Sequence, residues 1–111
     1  MVSSAVYTAF SDRPAAMTRA LATRELRGRL GFDGVSITDA LETASTAAFG
    51  GPVRAARDAA AAGTDLLLFA DVATAAEVAH ALRADLRDAG AAGRERFRPS
   101  ARRVLELRRS R

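Results

Sequence analysis

Residues 31–41 read GFDGVSITDAL, and the interpretation of the surrounding chain depends on this stretch. Its two glycines supply the backbone freedom of a turn, and Val35 and Ile37 alternate as residues of a half-buried strand do. Asp39 follows on the same side as these two residues, one step beyond the last strand position. The pattern predicts a turn, a short strand, and a carboxylate where the strand ends at the edge of a sheet.

Two other segments have the composition of strands. Residues 1–7 (MVSSAVY) are rich in Val and Tyr, and residues 65–70 (DLLLFA) form a continuous apolar run, which is typical of a strand covered on both faces. We therefore predict three parallel strands, near residues 2–7, 35–39 and 65–70, in sequential order and with helices on one side only.

Helix signals alternate with these strands. Thr18 is the predicted N-cap of a helix over residues 19–30, and Pro52 and Gly63 are placed to start and end an Ala-rich helix. The spacing of residues 74–77 (TAAE) is that of a capping box, which predicts a further amphipathic helix. Alternating strand and helix units favour a parallel sheet with right-handed crossovers.

The C-terminal segment is strongly basic. Residues 94–111 contain eight Arg and two Glu, so they carry a charge of +6, whereas the first 93 residues carry −2. We expect a polar connection up to Pro99 and then a short helix whose apolar side docks on the domain and whose Arg side faces water. Phe97 is the only aromatic residue among these Arg, so nucleic-acid binding is not expected and remains a distant alternative.

Composition excludes several classes of site. The chain of 111 residues is one domain's worth of sequence and has no Cys, which excludes disulfides and thiolate metal sites. It has no apolar run of the roughly 20 residues that a membrane span needs, and its N-terminus lacks the order of a signal peptide. We therefore expect no membrane span and, for the chain as given, a cytoplasmic location.

Other active-site patterns are missing from the sequence. Neither the G-x-G-x-x-G and P-loop patterns of nucleotide-binding proteins nor the G-x-S-x-G of serine hydrolases occurs. A phosphoacceptor domain would need a Lys and an early acidic pair, which are also absent. His80, the single His, lies mid-helix without a second candidate ligand, so no metal site is predicted.

The motifs resemble a known family. The run LGFDGVSITDAL, preceded by MVSSAVY and RPA and followed by AAAAGTDLLLF, is similar to the later portion of the catalytic barrel of glycoside hydrolase family 3, in its bacterial β-N-acetylhexosaminidase branch. The resemblance runs from Met1 to about Leu107. It implies an α/β fold, a partial (β/α)₈ TIM barrel of about three consecutive parallel strand-helix units plus a C-terminal helix.

The resemblance also implies a domain assignment and a nucleophile. Residues 1–111 would be the C-terminal portion of the catalytic barrel domain, with 94–111 as its Arg-rich closing segment. The Asp that ends GFDGVSITD in the family is the catalytic nucleophile, and it matches Asp39. Ala40 stands where the family commonly has a second acid, and Ser4 stands where it often has a His.

The activity implied is retaining hydrolysis of a β-linked N-acetylglucosamine or glucose glycan, without a metal or organic cofactor. In this branch the proton is transferred by a His and Asp pair in a KH-x-PGHG-type loop, a motif that this chain lacks, so we expect the isolated chain to be inactive. The substrate-binding residues are not assigned. The parent enzyme could be exported. Two alternatives remain open: a non-catalytic remnant of a barrel, or a half-barrel that needs a partner chain carrying the missing N-terminal half.

Overall fold

The computed structural model describes residues 1–110, and helices make up most of this part of the chain. A short 3₁₀-helix at Ala15–Met17 is followed by a π-helix at Ala20–Arg29. Four α-helices come next in chain order: α1 (Ala44–Ala47), α2 (Gly51–Ala62), α3 (Val72–Asp88) and α4 (Gly90–Arg109).

The predicted fold class is wrong. Within residues 1–110 no strand forms, and neither the three parallel strand-helix units nor the partial (β/α)₈ TIM barrel is present. The segments predicted as strands, called here the first (2–7), second (35–39) and third (65–70) segments, are joined only by isolated bridges. These are parallel, between Val2 and Thr38 and between Ile37 and Leu66, and a further antiparallel bridge joins Val6 to Pro14, which lies outside the three segments.

Hydrogen bonds to side chains and to a neighbouring turn explain why no ladder continues. The amide of Leu68 donates to Oγ1 of Thr38 at 3.0 Å, in a position where a regular ladder would use a main-chain oxygen. The first segment also stops pairing with the second, because the oxygen of Ala5 accepts from the amide of Ala15 at 2.9 Å. Each segment therefore pairs over too few residues to become a strand.

The helix boundaries partly follow the sequence signals. The prediction for α2 is confirmed, with Pro52 in its first turn and Gly63 as its C-cap at φ +99°. The N-cap of α3 lies three residues before the predicted one. Asp71 accepts from the amide of Thr74 at 2.7 Å, and the helix starts one residue after Asp71. The predicted cap Thr18 is also wrong, because its hydroxyl donates to the oxygen of Pro14 at 2.9 Å.

The segment predicted as a helix over residues 19–30 forms a π-helix. At its end the amide of Leu30 donates to the oxygen of Glu25 at 2.9 Å, the five-residue step of a π-helix. Ala22 is the only fully buried residue among Ala20–Arg29.

The core lies between α2, α3 and the loop after residue 39. Its buried apolar residues are Met17, Leu41, Ala55, Ala56, Ala59 and Val78. Leu67 and Phe69 pack against this cluster, whereas Leu66 and Leu68 are 37% and 39% exposed. The apolar run at residues 65–70 is thus covered on one face, not on both as predicted.

The C-terminal helix differs from the prediction in length and in how it docks. α4 includes Pro99 and the Arg-rich stretch expected to be a connection, and none of its residues is fully buried. Leu105 and Leu107 are 49% and 41% exposed, while the side chain of Arg103 is only 16% exposed. A charged contact made by Arg103 ties the helix to the rest of the chain.

That contact is a cluster around Asp65, whose side chain is completely buried. Its carboxylate accepts from the guanidiniums of Arg27 and Arg103 at 2.6 Å each, from the hydroxyl of Ser100 at 2.6 Å, and from the amide of Ser36 at 2.8 Å. Burial raises the pKa of Asp65, but the hydrogen bonds from Arg103, Ser100 and Ser36 outweigh it and hold the pKa below its usual 3.8. The carboxylate is therefore ionised at neutral pH.

We predict that Asp65→Asn lowers the free energy of unfolding by about 3 kcal/mol, because it leaves two partly buried guanidiniums without a counter-charge. Since the folded pKa of Asp65 is depressed, its contribution is present at every pH above 3.8 and is lost as the pH falls through the folded pKa. Urea denaturation at pH 7 and at pH 3 measures both effects.

The matched control is Asp85→Asn. Asp85 also pairs with an Arg through two hydrogen bonds, at 2.7 and 2.9 Å to Arg57, but both side chains are more than two-fifths exposed. Its loss should change stability much less. Equal destabilisation by the two substitutions would contradict a special role for the Asp65 cluster.

We also predict that Gly63→Ala destabilises the chain by about 1 to 2 kcal/mol. Gly63 has φ +99°, and an added Cβ would lie 2.4 Å from Oγ1 of Thr23, which bonds the oxygen of Ala62 at 2.6 Å. Gly28→Ala is the control, because its Cβ would meet nothing within 4 Å. Thermal unfolding should show a lower Tm for Gly63→Ala alone, and an unchanged Tm would refute the steric argument.

Candidate active site

Asp39 lies where the second bridged segment ends. Its amide donates to the oxygen of Val2 at 3.1 Å, and the amide of Val2 donates to the oxygen of Ile37 at 2.7 Å. The side chain is partly exposed, and Oδ1 accepts from the amide of Ala40 at 2.8 Å. Among residues 1–110 its carboxylate forms no ion pair.

Thr38 determines how the chain turns beside Asp39. It is completely buried, and its Oγ1 accepts from the amide of Leu68, while the amide of Leu41 donates to the oxygen of Leu68 at 3.1 Å. Residues 39 and 40 lie between these two contacts, so the backbone on either side of Asp39 is tied to the third segment. The hydroxyl of Thr46 lies 2.6 Å from the oxygen of Leu41 and holds the following loop.

A second carboxylate, Glu42, lies three residues further on and was not identified from the sequence. Its Oε1 accepts from the amide of Asp71 at 2.8 Å and also from the amide of Ala70. Desolvation raises the pKa of Glu42, but these backbone hydrogen bonds lower it below its usual 4.5. Its Oε2 is buried without a hydrogen-bond partner within the part of the chain that is described.

Asp39 and Glu42 therefore lie at one end of the bridged segments. The three segments run parallel through the bridges at Val2 and Ile37, and Glu42 contacts the third segment where it ends at Ala70. A signal for Glu42 was present in the sequence, since it is an acid in the loop directly after the strand-like motif. Its contact with residues 70 and 71 could not be read from sequence spacing.

The other residues singled out in the sequence lie in varied surroundings. Ser4 is buried, and its hydroxyl has no partner among residues 1–110. Ala40 contributes only its amide to Asp39. His80 is exposed on α3, and its side chain forms no hydrogen bond or ion pair with residues 1–110.

The described residues hold neither a metal-binding cluster nor a helix that could span a membrane. Residues 1–110 contain no group of three or more His, Cys, Asp or Glu side chains arranged to hold a metal ion. In the same part of the chain, no helix has both the length and the apolar composition needed to cross a bilayer.

Comparison with known proteins assigns the family. The model of the glycosyl hydrolase family 3 N-terminal domain matches residues 1–107. The chain belongs to this family. The match includes Asp39 and the residues that hold it, and it confirms the resemblance inferred from the GFDGVSITD motif.

Relatives of this family 3 chain include a beta-hexosaminidase of Chromobacterium violaceum. It is 43% identical over 68 residues, which is 61% of this chain and 19% of the relative. An uncharacterised secreted glycosyl hydrolase of Arthroderma benhamiae is 46% identical over 69 residues, or 61% of this chain and 20% of the relative. The chain thus spans about a fifth of the length of these curated relatives.

Solved structures agree with this assignment. The beta-N-acetylhexosaminidase of Beutenbergia cavernae is 39% identical, with a TM-score of 0.82 over 94% of this chain and 31% of that protein. A glycoside hydrolase family 3 beta-N-acetylglucosaminidase of Paenibacillus sp. is 32% identical, with a TM-score of 0.76 over 89% of this chain and 19% of that protein.

The contacts of Glu42 generate a prediction about local order. Glu42→Ala should speed hydrogen exchange of the Ala70 and Asp71 amides by about tenfold, because both lose their acceptor. Glu42→Gln retains an acceptor oxygen and should have a smaller effect. Asp39→Ala should have none, because Asp39 bonds neither the Ala70 amide nor the Asp71 amide. Hydrogen exchange monitored by NMR measures this, and unchanged exchange in Glu42→Ala would show that the contact is not maintained in solution.

Proposed function

We propose that this chain is part of a retaining glycoside hydrolase and that Asp39 is its catalytic nucleophile. The observation that carries the proposal is the position of Asp39: a partly exposed carboxylate without an ion pair among residues 1–110, at the end of the bridged segments and inside the region that matches family 3.

The proposed reaction proceeds in two displacements. The carboxylate of Asp39 attacks the anomeric carbon of a β-linked sugar while the leaving oxygen is protonated, and a covalent glycosyl-enzyme forms. Water then displaces Asp39 and restores the β configuration. The proton donor must come from outside this chain, because the KH-x-PGHG-type loop is not among its residues.

The proposed substrate is a β-linked N-acetylglucosamine glycan of the cell wall or of a chitin-like polymer, with a β-glucosidase activity as the broader alternative. The names of the beta-hexosaminidase and beta-N-acetylhexosaminidase relatives support this choice. We propose no metal or organic cofactor, since displacement by a carboxylate nucleophile with a side-chain proton donor needs neither.

We further propose that residues 1–111 form the C-terminal portion of the catalytic domain, with 94–111 as its closing segment. The exposure of Leu66 and Leu68 supports this, because a neighbouring part of the domain would cover them. Tyr7, Phe10 and Phe32, which are 41% to 50% exposed, line a cavity of about 560 Å³ that the same part of the domain would fill. These surfaces equally support the alternative that the chain is a remnant without activity of its own.

The proposed role of Asp39 predicts a selective loss of activity in a chimera. Residues 1–107 replace the matching part of the Beutenbergia cavernae enzyme, and hydrolysis of an aryl β-N-acetylglucosaminide is measured. Asp39→Asn should reduce kcat/KM by about 10³-fold or more. Asp33→Asn, which changes an exposed Asp of the same motif, should leave it nearly unchanged. The 111-residue chain alone should be inactive.

Chemical rescue separates a nucleophile from a residue that only maintains structure. In the Asp39→Ala chimera, azide can enter the vacated space and attack the anomeric carbon, with loss of the aryloxide and formation of the α-glycosyl azide. Rescue with this product supports the proposed role. Full activity of the Asp39→Asn chimera would refute it, and activity of the isolated chain would refute the requirement for the rest of the domain.

A further inference from the structure

Four Arg side chains surround a second cavity, at the opposite end of the third segment from Asp39. Its volume is about 170 Å³, and it lies between the π-helix, the C-terminal end of α2 and α4. The polar side chains that line it are Arg19, Arg27, Arg96, Arg103, Thr23 and Ser100. No Asp or Glu is among the lining residues.

The charge of this arginine cavity is not balanced by the described chain. Asp65 pairs with both Arg27 and Arg103 and so offsets only one of their two charges. Neither Arg19 nor Arg96 forms an ion pair with residues 1–110. Four guanidiniums against one carboxylate leave an excess of three positive charges, whose mutual repulsion an anion would offset.

The cavity also has hydrogen-bond donors to spare. Arg103 uses only Nε and Nη2 in its bonds to Asp65 and Ser100, and the side chains of Arg19 and Arg96 form no hydrogen bond with residues 1–110. The hydroxyls of Thr23 and Ser100 already donate to Ala62 and Asp65. The donors that remain in the cavity are therefore guanidinium N–H groups of arginine. Their planar arrangement matches the oxygens of a phosphate.

A neighbouring cavity differs from the arginine cavity in having acidic side chains in its lining. Arg27 and Arg103 also border a cavity of about 380 Å³, but Asp33 and Glu106 line that one as well. Its acidic side chains offset the guanidiniums and would repel an anion. An anion is thus favoured in the arginine cavity and not in its neighbour.

We propose that the arginine cavity binds a single phosphate group, either inorganic phosphate or the terminal phosphate of a phosphomonoester. Its volume corresponds to roughly five water molecules, which suits one tetrahedral oxyanion with little else. A phosphate held there would contact Arg96 of α4 and Arg19 next to the π-helix. It would therefore tie α4 to the body of the chain at a second point besides Asp65. This proposal does not depend on the glycosidase function.

The test is a titration of the 111-residue chain with inorganic phosphate, against sodium chloride at matched ionic strength. Phosphate should raise Tm in a saturable manner, because it binds the folded state, and chloride should not. In parallel, the Nε–Hε NMR signals of the Arg that line the cavity should shift with the same apparent Kd. A phosphomonoester arm with glycerol phosphate tells whether a substituted phosphate also fits.

Matched variants locate the site. Arg19→Ala and Arg96→Ala should each weaken phosphate binding at least about fivefold, since each removes a charged donor. Arg24→Ala and Arg94→Ala, which remove Arg residues close by in sequence that do not line the cavity, should leave the Kd unchanged. The side chains of Arg19 and Arg96 are exposed and form no hydrogen bond or ion pair with residues 1–110, so these variants are not expected to unfold.

Three results would overturn the proposal. They are an equal response to chloride, equal weakening by the cavity variants and the control variants, and binding to a single-stranded oligonucleotide with none to phosphate or glycerol phosphate. The last would identify an extended surface for a polyanion in place of a phosphate site.

Discussion

The buried carboxylate of Asp65 is the interaction on which the arrangement of this chain depends. It joins the π-helix through Arg27, the second segment through Ser36, and α4 through Ser100 and Arg103. A buried charge is costly unless it is paired and fully hydrogen-bonded, and here every contact is also a link between distant parts of the chain. α4, which has no fully buried residue, is tied to the chain by this carboxylate through Ser100 and Arg103.

The two ends of the third segment have different charged neighbours. Arg side chains gather where the third segment begins at Asp65, whereas Asp39, Glu42 and Asp71 lie near where it ends. Thr38 and Glu42 hold the acidic end by accepting amides of the third segment. The contacts that interrupt the ladder thus also set the backbone around Asp39.

The incorrect fold prediction has a physical origin. Residues 65–70 have the composition of a strand, but a strand needs hydrogen-bonding neighbours and cover for its apolar faces. The described chain covers Leu67 and Phe69 and leaves Leu66 and Leu68 exposed. The hydroxyl of Thr38 then takes an amide that a ladder would have used. Local propensity therefore does not become a sheet here.

Sequence alone determined the features that depend on local chemistry. The left-handed conformation of Gly63 ends α2, Pro52 suits its first turn, and the GFDGVSITD motif identified the family. The same motif predicts Asp39 as the nucleophile, and this role stays a prediction. Glycine and proline act through their own backbone geometry, so their positions can be read without a partner.

Only the tertiary structure decided the long-range polar contacts. It paired Asp65 with Arg27 and Arg103, placed Glu42 on the amides of residues 70 and 71, and gave Oγ1 of Thr38 an amide of the third segment. Each of these joins groups at least 28 residues apart in the chain. A hydrogen bond or ion pair depends on the distance between two atoms in space, and sequence spacing beyond a few residues does not define that distance.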